Sequence, residues 1–423
     1  MASSDVGKVA SASLGAKINE IGLRRSEENA RMSASLQFGF YYLTCHLLSI
    51  STYLIDHGFS CWLAYQYHTQ GQETYFALTI TFVVMPALIS TGFSMRWYLQ
   101  DIDDPTLPKA PLWRWGLRVV FLLLQFAPIL RYLDSLLYGI GSILAARKNQ
   151  KEKQQYLFRR MVDEDSDASL LRLFHCFLHA APQAILHLMV LIQMARQKQH
   201  ATLQAYQGWA VMCALISIAW ALTCYHRSVR FARDDKEKLS WQGSTIQFCW
   251  HLMGTASRIL ALAMLAAMYP AWMGTVCLTH WCVMAAWLAL GHHQTAVCSS
   301  RCEELMFSCV LGLAYILAFI APRDGPTRYT YLAYYLVCFM ENTGALVVWC
   351  VGNSSAQNPS LYYGTVGMQI LTFLLGILFM LAYYRYFHPS GTSTTIRKSI
   401  TITEMPDRLS KAGVSGRVFS HTL

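Results

Sequence analysis

Arg172, His175, His179, Gln183 and His187 recur at three- and four-residue spacing. On a helix that spacing gathers them on one face. Guanidinium, imidazole and carboxamide groups could hold phosphate oxygens there. They could equally form a structural polar seam, its cations paired to neighbouring helices. His175 and His179 are four apart and would suit one metal ion, but no third ligand is evident and no metal is expected. Pro182, beside Gln183, is expected to bend or break the helix. Four further polar groups interrupt apolar stretches: Asp56 with His57, Arg131 with Asp134, Arg258, and Glu341 with Asn342. Arg131 and Asp134 are spaced to pair along a helix. Charges buried in apolar surroundings are normally paired, and Glu341 suits a structural role. No G-x-S-x-G elbow and no phosphate-binding loop is present, so neither catalysis, a cofactor nor ATP-driven transport is expected.

The elements that position these residues are membrane spans. Of 423 residues 54% are hydrophobic and 14% charged, where soluble domains carry roughly 25% charged residues. Apolar stretches fall at about 41–67, 74–97, 116–145, 169–197, 205–226, 245–268, 270–291, 304–321, 328–351 and 363–386. About 20 apolar residues cross a bilayer. The net charge of +10 does not point to nucleic acid. The basic residues sit beside apolar spans, as in Arg159-Arg160 and Arg227, Arg230 and Arg233, which is the positive-inside pattern. The polar segment before residue 38 has no apolar core of a signal peptide, and Ala2 excludes myristoylation. Most of the 13 cysteines lie in apolar spans, where Cys is a small hydrophobe. Cys298 and Cys302 lie in a polar loop and would pair only in an oxidising compartment.

Loop charge fixes the expected threading. With the basic N-terminus inside, a spanning third segment would put residues 146–168, the most basic loop, outside. A hairpin entering and leaving on the cytosolic side avoids that, and Pro128 supplies the break. Making 270–291 a second hairpin, from the outside, keeps the basic tail after residue 390 inside. The expected fold is all-α and polytopic, with eight transmembrane helices, two re-entrant hairpins and cytosolic termini. Residues 292–303 and 352–361 are then external, and Asn353-Ser354-Ser355 is a formal glycosylation sequon in a short loop.

Several phrases resemble one family. SLLRLFHCFLHAAPQAIL at 169–186 is similar to the LRLFExFLxxAPQ signature of the XK-related phospholipid scramblases. YLIDHGFSCWLAYQY at 53–67, TIQFCWHLMGTASRILALAMLAAMYPAW at 245–272, FMENTGALVVWC at 339–350 and FMLAYYRYFHP at 379–389 resemble other parts of it. The resemblance covers about 38–390, leaving an N-terminal tail at 1–37 and a C-terminal tail at 391–423, both expected to be cytosolic. The family fold it implies has the same eight spans and two re-entrant segments. The sequence departs from the family where relatives carry acids, at His175, at His179 in some, and at Ser60.

The resemblance implies ATP-independent exchange of phospholipids between leaflets of the plasma membrane, phosphatidylserine exposure in apoptosis, and gating by a tail that caspases remove. Polar residues inside spans would form the lipid path, since a charge at the bilayer centre costs about 2.5–3.5 kcal/mol unless it has a use or a partner. The candidates are Asp56, Arg131, Asp134, Arg172, His175, His179, Gln183, Arg258 and Glu341. In the C-terminal tail, Glu404-Met405-Pro406-Asp407 offers Asp407 to a caspase, although Arg408 is not the small residue that normally follows a cut. Asp5 is a poorer candidate, and Asp167 is too close to a membrane segment. Two alternatives stay open: a docking subunit for a lipid-transfer or membrane partner protein, and an ion channel or transporter.

Overall fold

The computed structural model describes residues 42–103, 112–124, 126–197, 201–231, 239–290, 301–320, 328–352 and 359–388. Every regular element among them is helical: α1 (residues 42–69), α2 (Glu73–Asp103), α3 (Leu112–Leu123), α4 (Ala127–Arg147), α5 (Lys151–His175), α6 (Ala181–Gln197), α7 (Ala201–Phe231), α8 (Trp241–Met268), α9 (Pro270–Leu290), α10 (Arg301–Tyr315), α11 (Arg328–Gly352) and α12 (Pro359–Ala382). Eight described helices are both long and apolar enough to cross a bilayer. The protein is an all-α polytopic membrane protein. α1 is not among those eight because His46, Asp56 and His57 dilute its apolar run, yet at about 42 Å it exceeds the hydrocarbon thickness.

α5 and α6 form one helical rod, Lys151–Gln197, of 47 residues. At 1.5 Å per residue it extends about 70 Å, more than twice the hydrocarbon thickness. It is also the central element: 72% of its apolar window is buried inside the protein, against 6% for α9. Lipid is as apolar as leucine, so burying leucines does little for helix association here. Close packing and polar contacts hold such helices together. One such approach joins α12 to α8, where a Cβ on Gly376 would lie 3.1 Å from the backbone nitrogen of Gly254.

Two expectations are corrected. Residues 146–168 are not a loop: the chain turns at 148–150, with Asn149 in the left-handed region at φ 55°, and α5 begins at Lys151. The polarity that mimicked a loop is that of an acidic run whose members Glu164, Asp165 and Asp167 are buried. Pro182 does not break the rod. Its missing N–H and its ring are accommodated by a π-helical turn, Cys176–Ala180, after which the helix continues to Gln197. α9, the expected second re-entrant segment, is an unbroken helix of 21 residues, as α4 is. The short element is α10, whose 15 residues reach only about 22 Å before the chain turns away at 316–320.

The break expected in the third apolar segment is present. α3 ends at Leu123, and α4 starts at Ala127 with Pro128 in its first turn, where a proline lacks nothing the helix needs. The expected sites Asn353 and Asp407 lie outside the described residues, as do Cys298, Asp5 and the tail segments 1–37 and 391–423.

Candidate functional site

The predicted stripe exists and is buried. Arg172 and His179 are fully enclosed, and Gln183 and His187 are each 1% exposed. They run down the central rod, through the π-turn, facing α1, α2 and α7. The inserted residue of a π-turn rotates the face that follows it. Here it leaves His175 and His179 stacked, with ring centroids 4.4 Å apart.

At the upper end of the stripe, Arg172 donates to Thr52 Oγ1 at 2.9 Å and to Ser217 Oγ at 2.6 Å. Its guanidinium lies over the Tyr53 ring at 5.2 Å. Both hydrogen-bond partners are neutral, and its Nε and Nη1 have no hydrogen-bond partner. A buried guanidinium with two idle donors is costly, and its planar fork suits a phosphate.

One turn on, Asp56 Oδ2 of α1 lies 3.3 Å from His175 Nε2 and 3.9 Å from His179 Nε2. Ser60 places its hydroxyl 3.2 Å from His179 Nε2. Further down, Gln183 Nε2 donates to the Thr79 carbonyl of α2 at 2.9 Å. His187 Nδ1 lies 3.4 Å from the Tyr67 hydroxyl, which accepts from Gln207 Nε2 at 2.7 Å. The idle atoms continue: Gln183 Oε1, Thr79 Oγ1 and His187 Nε2 are all buried without a partner. Unsatisfied polar atoms are few in ordinary interiors. Their alignment along one face marks the seam as something other than a fully satisfied interhelical contact.

The other predicted residues sort away from this seam. Arg131 does not pair with Asp134. Its Nη1 donates to Glu164 at 2.7 Å and to Asp167 at 3.0 Å, both on α5, and its charge sits 3.7 Å from the Tyr98 ring centroid. Asp134 instead accepts from the Tyr98 hydroxyl at 3.3 Å. Arg160 donates to the other oxygen of Glu164 at 3.0 Å, and His46 Nε2 is 3.3 Å from Asp165. Glu164, Asp165 and Asp167 were missed because an acidic run in a hydropathy trough reads as solvated. The basic residue inside an apolar segment, Arg131, was the signal that a buried partner was needed.

Arg258 bonds Glu341 at 2.6 Å, Asn342 at 2.7 Å and the Ile316 carbonyl at 2.9 Å. His280 Nδ1 holds the second oxygen of Glu341 at 2.9 Å. This network ties α8, α9 and α11 and caps the C-terminal end of the short α10, whose last carbonyls have no helical partner. Both oxygens of Glu341 and all three nitrogens of Arg258 are bonded, His280 Nε2 being left without a partner, and the network reads as a clamp.

These features match a known family over most of the chain. The model of the XK-related protein family matches residues 44–389. A protein named XK-related protein 8 from Tetraodon nigroviridis is 27% identical over 379 residues, covering 88% of this chain and 89% of its own length. Its namesake from Gasterosteus aculeatus is 26% identical over 368 residues, covering 85% and 87% respectively. The signature phrase at 169–186 is the stretch that carries the π-turn and most of the stripe. The chain is a member of the XK-related family.

Proposed function

We propose that this protein lets phospholipids exchange between leaflets of the plasma membrane without ATP, along the polar seam of the central rod. A lipid headgroup crosses slowly because it must shed its hydration in hydrocarbon. Side chains that replace those hydrogen bonds lower the barrier while the acyl tails stay in lipid. The observation that carries the reading is Arg172: a fully buried cation whose Nε and Nη1 donate to nothing offers two hydrogen bonds and a charge to a phosphate. Gln183, His187 and Thr79 extend the idle polar atoms down the same face. The enclosure of that face describes a closed conformation, and opening it requires α1 or α2 to move off the rod. A generic phosphate contact implies weak headgroup selectivity, so phosphatidylserine would be exposed together with other lipids when the path opens in apoptosis.

The test is reconstitution of the full-length and tail-trimmed protein in liposomes that carry fluorescent lipids and an ion-sensitive dye. Loss of inner-leaflet label to an outside quencher, with no ATP and no ion flux, is the expected result. Ion flux without lipid exchange assigns the seam to a channel. Neither activity in folded, trimmed protein favours a docking subunit that acts through a lipid-transfer or membrane partner.

A further inference from the structure

We propose that Asp56, His175 and His179 bind a divalent transition-metal ion of the zinc class, pinning α1 to the π-turn of the central rod. One ligand atom from each of the three lies within 4.8 Å of the others, and all three residues are buried. The binding site stands whether or not the protein moves lipid.

The spacing admits a shared ion as well as the His175–Asp56 hydrogen bond. A charge-assisted bond between imidazole and carboxylate is about 2.7–2.9 Å long. The observed separations from Asp56 Oδ2, 3.3 Å to His175 and 3.9 Å to His179, are longer. Ligand atoms about 2.0–2.1 Å from a tetrahedral zinc lie about 3.3–3.4 Å from one another. The His175 edge already has that length, and the His179 edge needs to close by about half an ångström.

The hydrogen bonding also prepares the ligand. His179 Nδ1 is 2.9 Å from the Phe82 carbonyl of α2. A carbonyl can only accept, so Nδ1 carries the proton, and the neutral ring presents a lone pair at Nε2. The Ser60 hydroxyl is the donor nearest that lone pair at 3.2 Å, but it also bonds the Asp56 carbonyl at 3.1 Å. One hydroxyl proton cannot serve both at once, so the Nε2 lone pair has only a shared donor, which a bound ion would replace. A backbone carbonyl that fixes the far nitrogen of a histidine is the usual support of a metal ligand. Two imidazoles with one carboxylate suit zinc, copper, iron or nickel, and not calcium or magnesium.

Stacked positive rings are the rival occupant. His57 stacks on His179 at 5.6 Å, and His175 stacks on His179 at 4.4 Å, with Arg172 one turn away. Several imidazolium charges at such distances repel. One ion shared by two neutral rings and a carboxylate avoids that.

The experiment uses the full-length protein in detergent micelles, stripped with a chelator, given Zn²⁺ alone, gel-filtered and analysed for metal. About one equivalent per chain is expected in the wild type. His179→Asn, whose amide takes the place of Nδ1 and can still donate to the Phe82 carbonyl, and Asp56→Asn should each weaken binding at least about tenfold. His251→Gln, which alters the stacked pair with His226 outside the triad, should leave it unchanged. Zinc retained equally by all four proteins means an adventitious ion only and overturns the proposal, as does wild type that retains none. Should either variant fail to give a monodisperse peak, Co²⁺ decides on the wild type. Intense visible bands of a four-coordinate ion, bleached by added Zn²⁺, are expected, and their absence overturns the site.

Discussion

Replacing Arg131 with methionine removes a cation that is completely enclosed and that holds Glu164 at 2.7 Å and Asp167 at 3.0 Å. Removing one partner of a buried ion pair costs about 3–5 kcal/mol, because the other charge is left uncompensated. Glu164 keeps Arg160 at 3.0 Å, so the loss falls mainly on Asp167 and belongs near the lower end, about 3 kcal/mol. The cation over the Tyr98 ring adds a smaller term. For about 300 ordered residues the unfolding entropy is about 0.6 kcal/mol per kelvin, so 3 kcal/mol lowers the melting temperature by about 5 °C. The assay is thermal unfolding of purified protein in detergent, followed by the loss of its monodisperse peak. Arg131→Met combined with Glu164→Gln and Asp167→Asn should recover most of the loss, since no uncompensated charge then remains. A single variant that melts with wild type, or a triple variant no better than the single, would refute the reasoning.

Three more outcomes are expected. Gly376→Ala should lower the folded yield, because the added Cβ meets the Gly254 backbone at 3.1 Å, whereas Gly254→Ala, whose Cβ meets nothing within 4 Å, should not; size-exclusion profiles of the two check this. If α9 crosses and the shorter α10 does not, epitope tags near residues 155 and 295 should both stain only permeabilised cells, and a tag at 295 that stains intact cells restores the external placement of 292–303. Purified protein incubated with executioner caspases should yield a fragment ending at Asp407, read by mass mapping, and not one ending at Asp167, which is buried in α5 and bonded to Arg131; a product that is no more active than the whole chain retires the tail as a gate.

The apolar runs were legible because membrane helices need nearly continuous hydrophobic residues, and all ten predicted stretches contain helices. The stripe was legible because a four-residue recurrence survives in any helix. Partners were harder. Arg131 looked paired with Asp134 because sequence shows only neighbours along one helix, while the true acids lie on the next element at positions 164 and 167. The third residue beside His175 and His179 was equally invisible. Asp56 is more than a hundred residues away, and only the packing of α1 on the rod brings it near. The π-turn had a cue in Pro182, but whether a proline breaks a helix or induces a bulge depends on the neighbours that satisfy the freed backbone. Which of α9 and α10 is the shorter could not be read from charge parity, since either choice gives the same count of crossings.

The claim that the seam carries headgroups rests on Arg172 and is tested by lipid exchange in liposomes after activation, comparing wild type with Arg172→Gln combined with His179→Gln. Both substitutions keep a hydrogen-bonding side chain of useful length while removing the charge and the imidazole. The double variant is expected to exchange fluorescent lipid at least about tenfold more slowly, the loss of one charged hydrogen bond to phosphate being worth about 1.5–3 kcal/mol, while it stays folded and monodisperse. Exchange at the wild-type rate in a double variant that is folded and monodisperse would contradict the account and leave the stripe a structural seam.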